Sequence, residues 1–149
     1  MTEAEQTERP RQVAGVILHQ DGRVLLQHRD DKPEIRWPGA WAIFGGHLED
    51  DETPEEGARR EIEEELGLRL EGPMPLVYHQ TVGNRERYFY AAELTVEPEA
   101  LTLNEGQGMA LLSREELDTH LVVPLHKEIL LGFLDEQRVP TAREGGDSP

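Results

Sequence analysis

The chain has 149 residues, no cysteine, and a formal charge of −16 from 31 acidic and 15 basic side chains. That length suits one domain with a proper core, and the lack of cysteine excludes disulfides, thiolate metal sites and a cysteine nucleophile. The charge would repel nucleic-acid polymers and anionic membranes, but it leaves room for a small phosphorylated substrate, because a bound divalent cation can reverse the local sign.

Residues 1–10 and 141–149 are polar and aperiodic, so the sequence predicts disordered tails around a single domain at 11–140. The first tail has no apolar h-region, and no run approaches the roughly 18 apolar residues of a membrane span, so a cytoplasmic location is expected. VAGVIL at 13–18 and VLLQHR at 24–29 read as strands joined by a hairpin turn at Asp21-Gly22. After the loop DDKPEIRWPGA comes a short apolar run, WAIF at 41–44, and Gly45-Gly46 is expected to break the chain. Thr53-Pro54-Glu55-Glu56 combines an N-cap, a proline at the first helical position and a capping-box glutamate. A helix is therefore expected from about residue 54, with Ala58, Ile62 and Leu66 on its apolar face and Gly67 as its stop. PLVYHQTV and RYFYAAELTV flank Gly83-Asn84 as a second hairpin, and GMALLS at 108–113 reads as another strand. Ser113 to Glu116 repeats the capping-box signature, and HKEILLGFL after Pro124 is a last amphipathic helix. This order favours an α+β fold with a mixed sheet over a parallel doubly wound one.

The segment REIEEELGL at 60–68 carries the chemistry. Helical spacing puts Glu61, Glu64 and Glu65 on one face and Glu63 elsewhere, and like charges at that spacing repel. Such a run can be a solvated helix face. The other reading is an all-oxygen site for a hard cation, which would remove the repulsion.

Reading outward, Gly46, Glu52, Arg60, Glu61, Ile62, Glu64, Glu65, Gly67 and Leu68 resemble the Nudix box at every specified position. The resemblance implies a Nudix-type α/β/α sandwich with a mixed sheet and a loop-helix-loop catalytic motif. It also implies a Mg²⁺-dependent hydrolase, with Mn²⁺ as the alternative ion, that cleaves the pyrophosphate bond of a nucleoside diphosphate linked to another moiety. A nucleoside triphosphate, an oxidised nucleotide and a nucleotide sugar all meet that description. Carried over residue by residue, Glu61, Glu64, Glu65 and the carbonyl of Gly45 would hold the metal. Glu52 and Arg60 would form an ion pair bracing the box, with Gly46 and Gly67 supporting its turns. NEGQG at 104–108 is similar to a Glu-Gly-Gln loop of nucleoside-triphosphate-cleaving members, so Glu105 joins Glu64 as a candidate general base.

Substrate contacts lie outside the box. Arg29 is similar to a phosphate-contacting arginine of the family and could equally be a solvated strand end. Trp41 with Phe44, or Tyr88 with Tyr90, could stack a base or belong to the core. Nothing here separates a purine nucleotide from a nucleotide sugar, and a homodimer is compatible with the sequence. The alternative function is a catalytically silent nucleotide-binding or regulatory module of the same fold, although such modules typically lose box glutamates and this chain keeps them. Trp37 to Trp41 also resembles a stretch of isopentenyl diphosphate isomerases, but those need the cysteine this chain lacks.

Overall fold

Asp21 and Gly22 both take positive φ, 55° and 77°, and turn β1 (Arg11–Gln20) back into β2 (Arg23–His28), the backbone that a two-residue hairpin requires. The computed structural model describes residues 11–138. The expected tails, and the last two residues of the expected domain, lie outside them.

The run WAIF divides into β3 (Trp41–Ala42) and β4 (Phe44–His47). Here a sequence expectation needs correction. Gly45 and Gly46 do not break the chain but lie inside β4, paired antiparallel with Gly15 and Ala14 of β1. The strand continues through them because β1 supplies the ladder partners that local sequence cannot reveal. β5 (Leu76–Val82), β6 (Arg85–Glu93) and β7 (Gly108–Leu112) complete the sheet, whose order is β3-β2-β1-β6-β5, with β4 on β1 and β7 on β2. β1 and β6 run parallel and all other pairs run antiparallel, so the sheet is mixed.

Among the described residues three α-helices cover the sheet. In α1 (Pro54–Leu66) the Thr53 hydroxyl accepts from the Glu56 N–H at 3.1 Å, and the Glu56 carboxylate accepts from the Thr53 N–H at 3.0 Å. The helix closes on Gly67 at φ 66°, a left-handed cap that glycine adopts without steric cost. Ala58, Ile62 and Leu66 are buried against Val16, Leu18, Phe44 and Leu94 on one sheet face. On the other face Ile17, Val24 and Leu26 pack under Leu117 of α2 (Arg114–Leu117) and Leu130 and Leu134 of α3 (Pro124–Arg138). Consecutive residues of β1 thus feed opposite cores, as strand alternation demands, and burying each large apolar side chain contributes about 1.5–3 kcal/mol. The result is an α+β sandwich of helix, sheet and helix. Among the described residues no helix is long and apolar enough to cross a membrane.

Candidate active site

Arg60 ties α1 to the loop before it. Its guanidinium grips the Glu52 carboxylate twice, Nε to Oε2 at 2.5 Å and Nη2 to Oε1 at 3.1 Å, and Nη2 also donates to the His47 carbonyl at 3.1 Å. The hydrogen bond from Arg60 is the main reason that Glu52 titrates below the usual carboxylate range, and Glu52 in turn raises the pKa of the guanidinium. The remaining nitrogen, Nη1, reaches Glu61 at 3.2 Å and Glu64 at 3.1 Å. Glu64 stands at the solvent edge with its side chain 58% exposed, whereas that of Glu61 is 15% exposed.

Glu65 is different. Only 5% of the residue is exposed, and its Oε1 is buried with no hydrogen-bond partner. Burial, then the adjoining Glu105 carboxyl, then Glu61 push its pKa far above the ordinary carboxylate range. Glu105 arrives from a distant loop that closes the C-terminus of α1. The Asn104 N–H donates to the Glu65 carbonyl at 2.8 Å, its side-chain amide donates to the Glu64 carbonyl at 3.0 Å, and the Thr102 N–H donates to the Leu66 carbonyl at 3.2 Å. From the other side the amide of Gln27, a buried polar residue of β2, donates to the Glu105 carbonyl at 3.0 Å. Helix-end carbonyls that would otherwise lack donors thus anchor the loop.

Gly45 and Gly46 separate this cluster from a cavity whose wall they help to form. A Cβ on Gly46 would fall 2.5 Å from the carboxyl carbon of Glu61, so that carboxylate sits directly on the strand backbone. Glu61, Glu65 and Glu105 therefore come together, while Glu64, expected on the same face, leans outward on Arg60. Among the described residues no three acidic or imidazole groups already stand at metal-binding distances of one another. The chemistry of the donors nevertheless fits a hard divalent cation. A buried carboxyl forced towards neutrality, one of its oxygens without a partner, and two neighbouring carboxyls form an all-oxygen set that such an ion would satisfy.

The cavity holds about 440 Å³ between the sheet face bearing Gly15 and Phe89 and the start of α3. Arg29, Arg36 and Arg87 line it, and the Arg29 guanidinium donates to the Arg36 carbonyl at 3.1 and 2.8 Å, folding the proline-rich loop over the opening. Trp37, 42% exposed and at φ 52°, comes from that loop. Arg29, just after β2, thus lines the cavity. Trp41 does not line the cavity; it stacks on His28 at 4.3 Å and meets His120 edge-on at 5.4 Å. Phe44 and Tyr90 require correction as base-stacking candidates. They are 0% and 8% exposed and belong to the core under α1. Tyr88 and Tyr90 do share a strand face, but it is the face turned towards α1. Phe89 between them and Arg87 before them face the cavity.

Gln27, Arg36, Arg87, Phe89 and His126 belong to no motif of the sequence, and Trp37 stands out there only within the stretch Trp37 to Trp41. Alternation in RERYF could have found Arg87 and Phe89 had the direction of the face been known. The ring of His126 lies at the cavity floor, its Nδ1 accepting the Ile43 N–H at 3.1 Å, which leaves its proton on Nε2. Burial, with help from the charges of Arg29 and Arg87, lowers its pKa to about 4. The unfolded chain therefore takes up a proton that the folded one refuses between pH 6.5 and 4. The His126 contribution is fully present above pH 6.5 and is lost as pH falls towards 4, amounting to about 3 kcal/mol at most. Urea midpoints across that window should fall less steeply in His126→Asn, which keeps an acceptor for Ile43 but cannot charge; parallel curves would exclude His126 as the source.

A braced loop-helix-loop carrying clustered carboxylates beside a cationic cavity is the arrangement of cation-assisted phosphoanhydride chemistry. A NUDIX domain is matched over residues 8–133, and the chain belongs to the Nudix hydrolase family. It is 44% identical over 124 residues to a protein named nucleoside triphosphatase NudI from Enterobacter sp. strain 638, covering 74% of this chain and 87% of that relative. It is 49% identical over 59 residues to a MutT-like protein from Streptomyces ambofaciens, a match covering 40% of this chain and only 34% of that longer relative. Among solved structures, a MutT NUDIX hydrolase from Burkholderia pseudomallei superposes with a TM-score of 0.64 at 26% identity, covering 83% of this chain and 97% of the other. Nudix hydrolases generally use a divalent metal.

Proposed function

We propose that this protein is a cytoplasmic, Mg²⁺-dependent Nudix pyrophosphohydrolase, with Mn²⁺ able to substitute, acting on a nucleoside triphosphate or a related nucleoside diphosphate derivative. The observation that carries this reading is Glu65, a buried carboxyl with an unpartnered oxygen, packed with Glu61 and Glu105 beside a cavity of about 440 Å³. The name of the NudI relative supports the substrate class. Glu61 and Glu65, with Glu64 and the Gly45 carbonyl, would hold the ion, which when bound would neutralise phosphoryl oxygens and acidify the attacking water. Arg60 keeps Glu61 and Glu64 poised over the loop, and Glu64 or Glu105 accepts the water's proton. Phe89 and Trp37 offer aromatic faces to a base, and Arg29 and Arg87 offer charge to its phosphates. Retention of every box glutamate sets the silent binding module second.

The test is hydrolysis of a nucleotide panel with Mg²⁺, with products read by ³¹P NMR. Glu64→Gln should lose about ten- to a hundredfold in rate, the cost of a few kcal/mol in barrier, while the exposed Glu63→Gln should stay within about twofold. Equal tolerance of both changes would overturn the assignment of Glu64. A wild type inert across the panel but still binding Mg²⁺ would return the binding module.

A further inference from the structure

The strands that wall the large cavity also build a second one. β4, β1 and β6 lie in register, so that Gly45, Gly15 and Phe89 form one row and His47, Val13 and Arg87 the next. Arg11 and Arg85 form the row beyond. Residues two apart share a strand face, so Arg85 and Arg87 look out on the same side as Phe89. A hollow of about 190 Å³ opens there, lined by Arg11, Arg36, Arg85, Arg87 and His47 with Val13 and Glu86, and it shares Val13, Arg36 and Arg87 with the large cavity.

Four arginines line this hollow, three of them exposed, and gather like charge on one patch of a chain of −16. No ion pair between described residues joins any of the four to a carboxylate. Arg87 donates to the Gln80 side-chain carbonyl at 2.9 Å. Glu86, the one acid at the wall, belongs to the opposite strand face, where its carboxylate accepts from Gln12 at 2.6 Å and from the Tyr88 hydroxyl at 3.1 Å.

We infer that the smaller cavity is a phosphate subsite, taking a phosphoryl group that the substrate carries apart from the anhydride being cleaved. This rests on the proposed function, which puts the nucleotide moiety in the large cavity. Arginine forks match phosphate oxygens two at a time and bind them strongly once water is partly excluded. Ligand pockets for whole nucleosides run from about 300 Å³ upward, so the smaller cavity suits a phosphoryl group rather than a second nucleoside. At about 3.3 Å per residue, the Arg11–Arg85 row stands about 13 Å from the Gly45 row, so these arginines address a group other than the phosphates held at the glycines. The preferred substrates are therefore nucleotides with a phosphoryl group remote from the anhydride held at the glycines. That group can be a 3′-phosphate, or the distal phosphate of a dinucleoside polyphosphate chain whose second nucleoside stays outside the smaller cavity.

The experiment compares kcat/KM for a nucleoside 5′-triphosphate, its 3′-phosphorylated counterpart and a dinucleoside tetraphosphate, in wild type and in Arg11→Gln/Arg85→Gln. Wild type should favour a doubly phosphorylated substrate by at least about tenfold, chiefly through KM, and the double variant should erase most of that ratio while melting at the wild-type temperature. Whichever substrate shows the preference names the source of the phosphate. Independently of turnover, calorimetry in EDTA should show a nucleoside 3′,5′-bisphosphate binding at least about tenfold more weakly to the variant. No preference among substrates, together with equal calorimetric affinities, would overturn the subsite and leave the hydrolase standing. Lack of any hydrolysis with a calorimetric difference intact would overturn the hydrolase and leave the subsite.

Discussion

Glu65→Gln should abolish turnover and, without divalent cations, make the protein more stable at alkaline pH. The reasoning starts from burial. A carboxylate in the interior beside two other carboxyls is costly unless it is protonated or bound to a cation, and glutamine has the same shape without the charge. Because the folded-state pKa of Glu65 lies above the ordinary value, its contribution to stability is fully present below about pH 4.5 and is lost as pH rises towards the folded value. Above pH 6.5 His126 no longer opposes this trend. Metal-free wild type should therefore lose up to about 1.4 kcal/mol per pH unit between pH 6.5 and 8, while the variant stays level. Saturating Mg²⁺ should restore the wild type, by about 2.7 kcal/mol at a hundred times its Kd, and should leave the variant unmoved. Urea midpoints in EDTA and in Mg²⁺ read both effects, and rates should fall at least about a hundredfold. A variant that still hydrolyses nucleotides and is still stabilised by Mg²⁺ would remove Glu65 from the site.

Gly45→Ala should damage both the fold and the activity, and more severely than Gly46→Ala. A Cβ on Gly45 would lie 2.3 Å from the Ala14 carbonyl oxygen and 2.6 Å from the Gly15 Cα, both backbone atoms of the neighbouring strand. Backbone cannot rotate aside, so the β1–β4 ladder would have to shift, at a cost of about 3 kcal/mol or more. That shift would carry with it the strand segment on which the Glu61 carboxylate rests. On Gly46 the clash is with the tip of Glu61 alone, which can swing away. That variant should keep most of its stability but lose at least about tenfold in rate, because the displaced group belongs to the acid cluster. Gly132→Ala, on α3 with nothing within 4 Å, is the control and should stabilise by up to about 1 kcal/mol. Thermal unfolding of the three variants ranks them, and a Gly45→Ala protein as stable as wild type would show that the close approach of β4 to β1 is not needed.

What was legible in the amino-acid sequence was governed by neighbours along the chain. The capping box at Thr53 and Glu56, the apolar stripe of Ala58, Ile62 and Leu66, the glycine stop and the Asp21-Gly22 turn are local arrangements, and the structure has them where local rules put them. The spacing of the box likewise brought Arg60 to Glu52, because helix geometry and a short loop leave that pair little freedom. Other features depended on partners far along the chain. Gly45 and Gly46 read as a break until β1 gave them a ladder, and Phe44 and Tyr90 read as either stacking or core aromatics until the two layers of helices decided which sheet face each would meet. Periodicity of two says which side chains share a face. It does not say which face carries the cavity, and so Phe89 and Arg87 were passed over for their neighbours. Glu105 reaches Glu65 only because Asn104 and Gln27 pin its loop between the end of α1 and β2, while Glu64 turns outward because Arg60 competes for it. The sequence by itself determined most of the elements and the family, and nominated the acids. Their convergence, the depth at which Glu65 is buried and the cationic rows beside it were decided by tertiary structure, since desolvation and cross-strand register arise only when segments distant along the chain pack together.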